Sequence, residues 1–144
     1  MQKIRIKRNF GGSMPSILPE LIDISLNFNK NNPRDFETGY RCIAYAFDGS
    51  RLISSGYNIR KTPGAKYKVY AEDGKITTHA EIMVIKDIIR NNLTDYVTDF
   101  IVIRGTDKLL NSKPCTYCCK FISKVFYNIR LWYYYNNSWK VILI

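Results

Sequence analysis

Leu131-Trp132-Tyr133-Tyr134-Tyr135, Asn136-Asn137-Ser138 and Trp139-Lys140-Val141-Ile142-Leu143-Ile144 follow one another directly at the end of the 144-residue sequence. Aromatic and β-branched residues on both sides of a short polar break read as strand, tight turn, strand. A parallel crossover needs a dozen or more residues, and only about three are available, so the two strands must be antiparallel. That one deduction restricts the ways the rest of the chain can be arranged.

Working back from it, Cys115 to Phe126 reads as a helix with Cys118, Phe121, Ile122, Val125 and Phe126 along one stripe. Phe100-Ile101-Val102-Ile103 is a continuous apolar run, the pattern of a strand covered on both faces. From His79 to about Asn91 a second helix carries Ile82, Met83, Val84, Ile85, Ile88 and Ile89, as a helix lying on a sheet requires. Arg41 to Phe47 and Arg51 to Tyr57 are two strands around an Asp48-Gly49 hairpin signal. Cys42, Ala44 and Ala46 share one face of the first strand, with Ile43, Tyr45 and Phe47 on the other, so Cys42 reads as a small core residue. Pro15 to about Asn29 is a helix, stopped by Asn29-Lys30-Asn31-Asn32-Pro33. Residues 1–14 alternate basic and apolar and end near Gly11-Gly12, giving an edge strand or a mobile basic arm.

Asn58 to Thr77 is a long connection in which Arg60, Lys61, Lys66, Lys68 and Lys75 alternate with Tyr67 and Tyr70. Such interleaving suits phosphates and bases, or simply a solvated loop. The order hairpin, helix, strand, helix, strand, strand predicts a three-layer α/β fold. It is a mixed sheet of about five strands flanked by helices, in a single domain over residues 1–144.

Twenty-two basic against twelve acidic residues give a net charge of +10, which points to a polyanionic partner such as a nucleotide or a nucleic acid. No apolar run approaches the roughly 20 residues of a membrane span, and no signal-type apolar stretch follows the basic start. Four cysteines, two of them adjacent (Cys118 and Cys119), are no disulfide framework. The expectation is an intracellular, cytoplasmic protein in a reducing compartment.

Two motifs carry the chemistry: Thr78-His79-Ala80-Glu81, holding the only histidine, and Pro114-Cys115-Thr116-Tyr117-Cys118. Taken alone, Thr78 with Glu81 three residues on is a capping box, a purely structural helix start. Taken alone, Cys-x-x-Cys could be a thioredoxin-like pair, although that motif follows the first strand of a βαβ unit and this one follows the third. With Cys42 or Cys119 as a fourth ligand, the set would make a closed structural zinc site. One His and two Cys are also the three protein ligands of an open catalytic zinc site. A helix N-terminus favours thiolates, and Pro114 suits a helix start.

In combination, His79-x-Glu81 and Pro114-Cys115-x-x-Cys118 resemble the cytidine and deoxycytidylate deaminase superfamily, the zinc-dependent nucleobase deaminases. The resemblance covers roughly residues 39 to 144. It implies a Zn2+ cofactor held by His79, Cys115 and Cys118, with Glu81 as the proton shuttle. The implied reaction is hydrolytic deamination of cytosine to uracil with release of ammonia. Gly56-Tyr57-Asn58 is similar to the family's Gly-x-Asn, which implies that Asn58 contacts the sugar or base and that the Ala80 backbone faces the pyrimidine carbonyl. Free-nucleoside members read Asn-x-Glu-Asn and Cys-Arg-Gln, where this chain has Asn58-Ile59-Arg60 and Cys118-Cys119-Lys120. An arginine in place of a ribose-binding carboxylate suggests that Arg60 meets a phosphate.

His79-Ala80-Glu81-Ile82-Met83 also matches many tRNA adenosine deaminases. Those enzymes, like the polynucleotide cytosine deaminases, place a helix between the last two strands, and the short turn here resembles the free-nucleoside enzymes instead. The expected substrate is a cytidine or deoxycytidine nucleotide or nucleoside. Single-stranded DNA or RNA comes second, and an inactive deaminase-fold module that binds nucleic acid third. Members of that family commonly pair or form tetramers, so the resemblance allows a homo-oligomer, with Trp132 to Tyr135 serving either an interface or the core.

Overall fold

A computed structural model describes residues 4, 6–32, 41–59 and 79–144. Alternation along the first hairpin sets its architecture. Strand β1 (Cys42–Asp48) directs Ala44 and Ala46 to one face and Ile43, Tyr45 and Phe47 to the other, all fully buried. A strand buried on both faces must lie inside a sheet covered on both sides. It does: the strand order is β2-β1-β3-β4-β5, with β2 at Arg51–Tyr57, β3 at Asp99–Arg104, β4 at Arg130–Tyr135 and β5 at Ser138–Leu143.

Strand β1 is antiparallel to both β2 and β3, β3 is parallel to β4, and β4 is antiparallel to β5. Helix α1 (Met14–Asn31) covers one face through Ile17, Leu18, Leu21 and Phe28. Helices α2 (Ala80–Arg90) and α3 (Thr116–Val125) cover the other through Ile82, Val84, Ile85, Ile88, Cys118, Phe121 and Ile122. The three-layer mixed sheet of five strands is thus the expected one, and the last two strands are antiparallel. Their turn is tighter than the sequence suggests. Asn136 and Asn137 both take left-handed backbone (φ 50° and 62°), the geometry of a two-residue hairpin whose twist matches the strands.

Two polar residues of α1 reach into the sheet. Ser25 and the Tyr45 hydroxyl lie 2.7 Å apart, and Asn29 Nδ2 donates to the carbonyls of Arg41 (3.2 Å) and Gly105 (2.7 Å). Asn29 therefore ties the end of α1 to the start of β1 and the end of β3. Near the N-terminus, Leu52 N–H donates to Arg8 O and Phe10 N–H to Ser50 O, so residues 8–10 pair with the start of β2. The basic connection from Arg60 to Thr77 lies outside the described residues. No described helix is long and apolar enough to cross a membrane.

Aromatics in the 132–135 stretch do not form one surface. Tyr133 is buried in the core on the face covered by α2 and α3, the Trp132 indole N–H donates to Asp99 at 2.9 Å, and Tyr135 is exposed. Asp99, itself 1% exposed, also receives two hydrogen bonds from Arg130 at 2.7 and 3.0 Å and one from Thr98 at 2.8 Å. Burial pushes its carboxyl up, but these donors and the Arg130 charge outweigh it and hold the group below its ordinary value. A depressed carboxyl stabilises the fold above its unfolded pKa and loses that contribution as pH falls through the folded one. Asp99→Asn should therefore cost about 2 kcal/mol in urea unfolding at neutral pH. The gap to wild type should shrink below about pH 4. A gap that stays constant from neutral to acidic pH would contradict this account.

Candidate metal centre

His79 and Cys115 stand at the starts of the two helices that share a face of the sheet. Each is the N-cap of its helix, in extended backbone, His79 for α2 and Cys115 for α3. An N-cap side chain sits beside the first-turn N–H groups, which have no acceptor inside the helix. Cys115 Sγ accepts one of them, from Cys118 N at 3.5 Å. The N-cap of α2 is His79, which makes no side-chain cap bond, and Glu81 is the second helical residue. Thr78 itself lies outside the described residues.

The helix starts bring the three expected ligands together. His79 Nδ1 lies 3.3 Å from Cys118 Sγ and 3.5 Å from Cys115 Sγ, and the ligand atoms of all three lie within 4.8 Å of one another. Zinc bonds of about 2.3 Å to sulfur and 2.0 Å to nitrogen, at a tetrahedral angle, place N and S about 3.5 Å apart. The observed spacings fit that edge. Among the described residues no fourth Cys, His or carboxylate joins the cluster. Cys119 turns instead to the Pro114 carbonyl at 3.4 Å, and Cys42 packs against the core beneath α2. A closed four-ligand site built with either thiol is not what the geometry provides.

The two thiols of the cluster are shifted in opposite directions. A hydrogen bond from Cys118 first, opposed by burial and joined by His79, holds the Cys115 thiol down to about 4. Cys118 moves the other way, raised by its bond to Cys115, by burial and by the Glu81 charge. The two thiols are thus shifted apart, and a divalent ion held by both sulfurs would favour the thiolate form of each. Glu81 is 5% exposed and within hydrogen-bond reach of Cys118; burial raises its carboxyl, against the lowering influence of His79.

The expected substrate contacts are less clear-cut. Ala80 is buried, with its N–H in the first turn of α2. Asn58 follows β2, but its Oδ1 accepts the Cys42 N–H at 2.9 Å and its carbonyl accepts from Arg41 Nη1 at 2.5 Å, so what it visibly does is join β2 to β1. Arg60 lies outside the described residues. Two residues matter more than the sequence indicates. Gly56 faces α2 so closely that a Cβ would sit 3.0 Å from Met83 Cβ and 3.2 Å from Val84 Cγ2. Ser112, three residues before Cys115, is buried and bonded to both β3 and β4. A lone serine in a polar connection carries no periodic signal, and a glycine's missing Cβ is informative only once its neighbour is known.

Purified protein should carry about one zinc per chain, and His79→Ala, Cys115→Ser or Cys118→Ser should each lose most of it by elemental analysis. Gly56→Ala should cost about 1–3 kcal/mol of stability by overpacking against α2. Full zinc retention in all three ligand variants would remove the site.

No protein-family model and no curated protein sequence matches the chain. Solved structures do. A cytidine deaminase from Burkholderia pseudomallei superposes with a TM-score of 0.57 at 13% identity, covering 87% of this chain and 91% of that one. A cytidine deaminase from Mycobacterium leprae gives 0.54 at 13% identity, covering 85% and 91%. The chain has the cytidine deaminase fold.

Proposed function

We propose that this protein is a zinc-dependent deaminase that converts cytosine to uracil in a nucleoside or nucleotide. The observation that carries this reading is the convergence of His79, Cys115 and Cys118 within 4.8 Å, with the buried Glu81 beside Cys118. The donor set is three protein ligands, which leaves one tetrahedral position for solvent or substrate. Zinc held there supplies a hydroxide nucleophile near neutral pH.

The chain's own residues supply the proton transfers. Glu81 takes the proton released from water and passes it to the ring nitrogen N3 as C4 is attacked. It then moves the remaining hydroxyl proton to the departing amine, the C4–N bond breaks, and ammonia leaves with a carbonyl at C4. Atoms balance as cytosine plus water giving uracil plus ammonia. Burial around Glu81 keeps bulk water from competing for that proton. The first-turn N–H of Ala80 is suited to the pyrimidine carbonyl, and Asn58 to the sugar side.

A phosphate on the substrate fits the net charge of +10 and Arg60 in place of the nucleoside enzymes' glutamate. Side-by-side assays of the zinc-loaded protein on cytidine, dCMP, dCTP and a cytosine-bearing oligonucleotide should show turnover of the mononucleotides. Conversion of the oligonucleotide alone would replace this substrate reading, and no ammonia from any of the four would end the deaminase reading. Glu81→Gln should keep its zinc and lose about 10²–10⁴-fold in kcat.

A further inference from the structure

Strands β3 and β4 run parallel and stay in register from Asp99 opposite Arg130 to Val102 opposite Tyr133. The next bond of a parallel ladder would run from the Tyr134 N–H to the Val102 carbonyl. The Ser112 hydroxyl is inserted into that bond. It donates to Val102 O at 2.7 Å and accepts from Tyr134 N–H at 2.9 Å. The Ser112 N–H donates to the Tyr134 carbonyl at 2.8 Å. From this point residue 112, not β3, is the neighbour of β4.

The chain is led there by a tight return. Gly105, just past the end of β3, has φ of 122°, and a Cβ on it would run into the Lys108 carbonyl. Leu110 N–H comes back to Arg104 O at 3.0 Å, and Asn111 Oδ1 accepts the Asn136 N–H at 3.1 Å. After Ser112, only Lys113 and the buried Pro114 precede Cys115.

We infer that Ser112 is a positioning residue for the metal centre: its hydroxyl ends the β3–β4 ladder one rung early and so fixes where Cys115 starts α3 relative to His79. This rests on the metal centre proposed above. A hydroxyl is suited to the place because it donates and accepts at one atom, matching the carbonyl on β3 and the N–H on β4. Without it, the buried Val102 carbonyl and the partly buried Tyr134 N–H lose their partner, and they regain one most simply by bonding to each other. That closure takes the space of residue 112. Three residues span at most about 10 Å, so a displacement at 112 reaches Cys115 while the buried stripe of α3 holds the rest of the helix in place.

Zinc affinity measured against a competing chelator, with the absorption spectrum of the cobalt(II) form, tests the inference on wild type, Ser112→Ala and Ser112→Thr. Ser112→Ala should bind zinc about tenfold or more weakly, with altered cobalt bands, and Ser112→Thr should restore both, because its hydroxyl is retained. Wild-type affinity and spectrum in Ser112→Ala, whatever its melting temperature, would overturn the role. If Ser112→Ala does not fold, Ser112→Cys, a weak donor, replaces it under the same criteria. A wild-type protein that takes up neither zinc nor cobalt defeats the metal centre itself. In that case a crystal structure of the metal-free alanine or cysteine variant decides: Tyr134 N bonded directly to Val102 O with Cys115 displaced supports the inference, and an unmoved Cys115 overturns it.

Discussion

Two helices must begin side by side over the same end of one sheet, and the rest of the structure serves that constraint. A ligand placed at a helix N-cap gains a fixed backbone turn below it and unpaired N–H groups beside it. Histidine at one such start and cysteine at the other converge only if α2 and α3 approach the sheet closely. Small residues allow this: Ala44 and Ala46 under α2, Ala80 in its first turn, and Gly56 against Met83. Larger side chains at these positions would lift α2 and carry His79 away from the sulfurs.

The site also resolves an electrostatic conflict. Glu81, Cys115 and Cys118 are three groups that can carry negative charge, gathered in a largely buried space with a single histidine. Such a cluster cannot ionise fully by itself, and the opposite shifts of the two thiols are the result. A dication held by His79, Cys115 and Cys118 would change the balance, since it would let both sulfurs be thiolates. The arrangement is therefore read more naturally as a metal centre than as a redox pair.

Much of this was legible in the sequence, for a physical reason. Strand alternation in residues 42–47 and the helical stripe in 118–126 are local consequences of periodicity, and the structure shows both faces as expected. That His79, Cys115 and Cys118 would meet was legible because the residue types and spacing that suit a metal are constrained together, and the structure brings their donor atoms within 4.8 Å of one another. What stayed hidden is non-local. Asp99 reads as one acid before an apolar run, and only the parallel register of β3 and β4 shows why it meets Arg130 and Trp132. Helix α2 begins at Ala80, one residue after the start read at His79, which is the usual blur of helix boundaries.

The two borders of the sheet are finished differently. Residues 8–10 cover the first part of β2, whereas no described strand pairs with the outer side of β5. There Val141, Ile142 and Leu143 are exposed in succession, with Lys140 the one charge on the strand. An open apolar border invites strand-to-strand adhesion between copies, and charged residues ordinarily prevent it. Here the surplus of positive charge over the whole chain repels like copies at long range. That repulsion reaches only as far as the ionic atmosphere permits, so added salt weakens it while leaving the apolar border of β5 as it is.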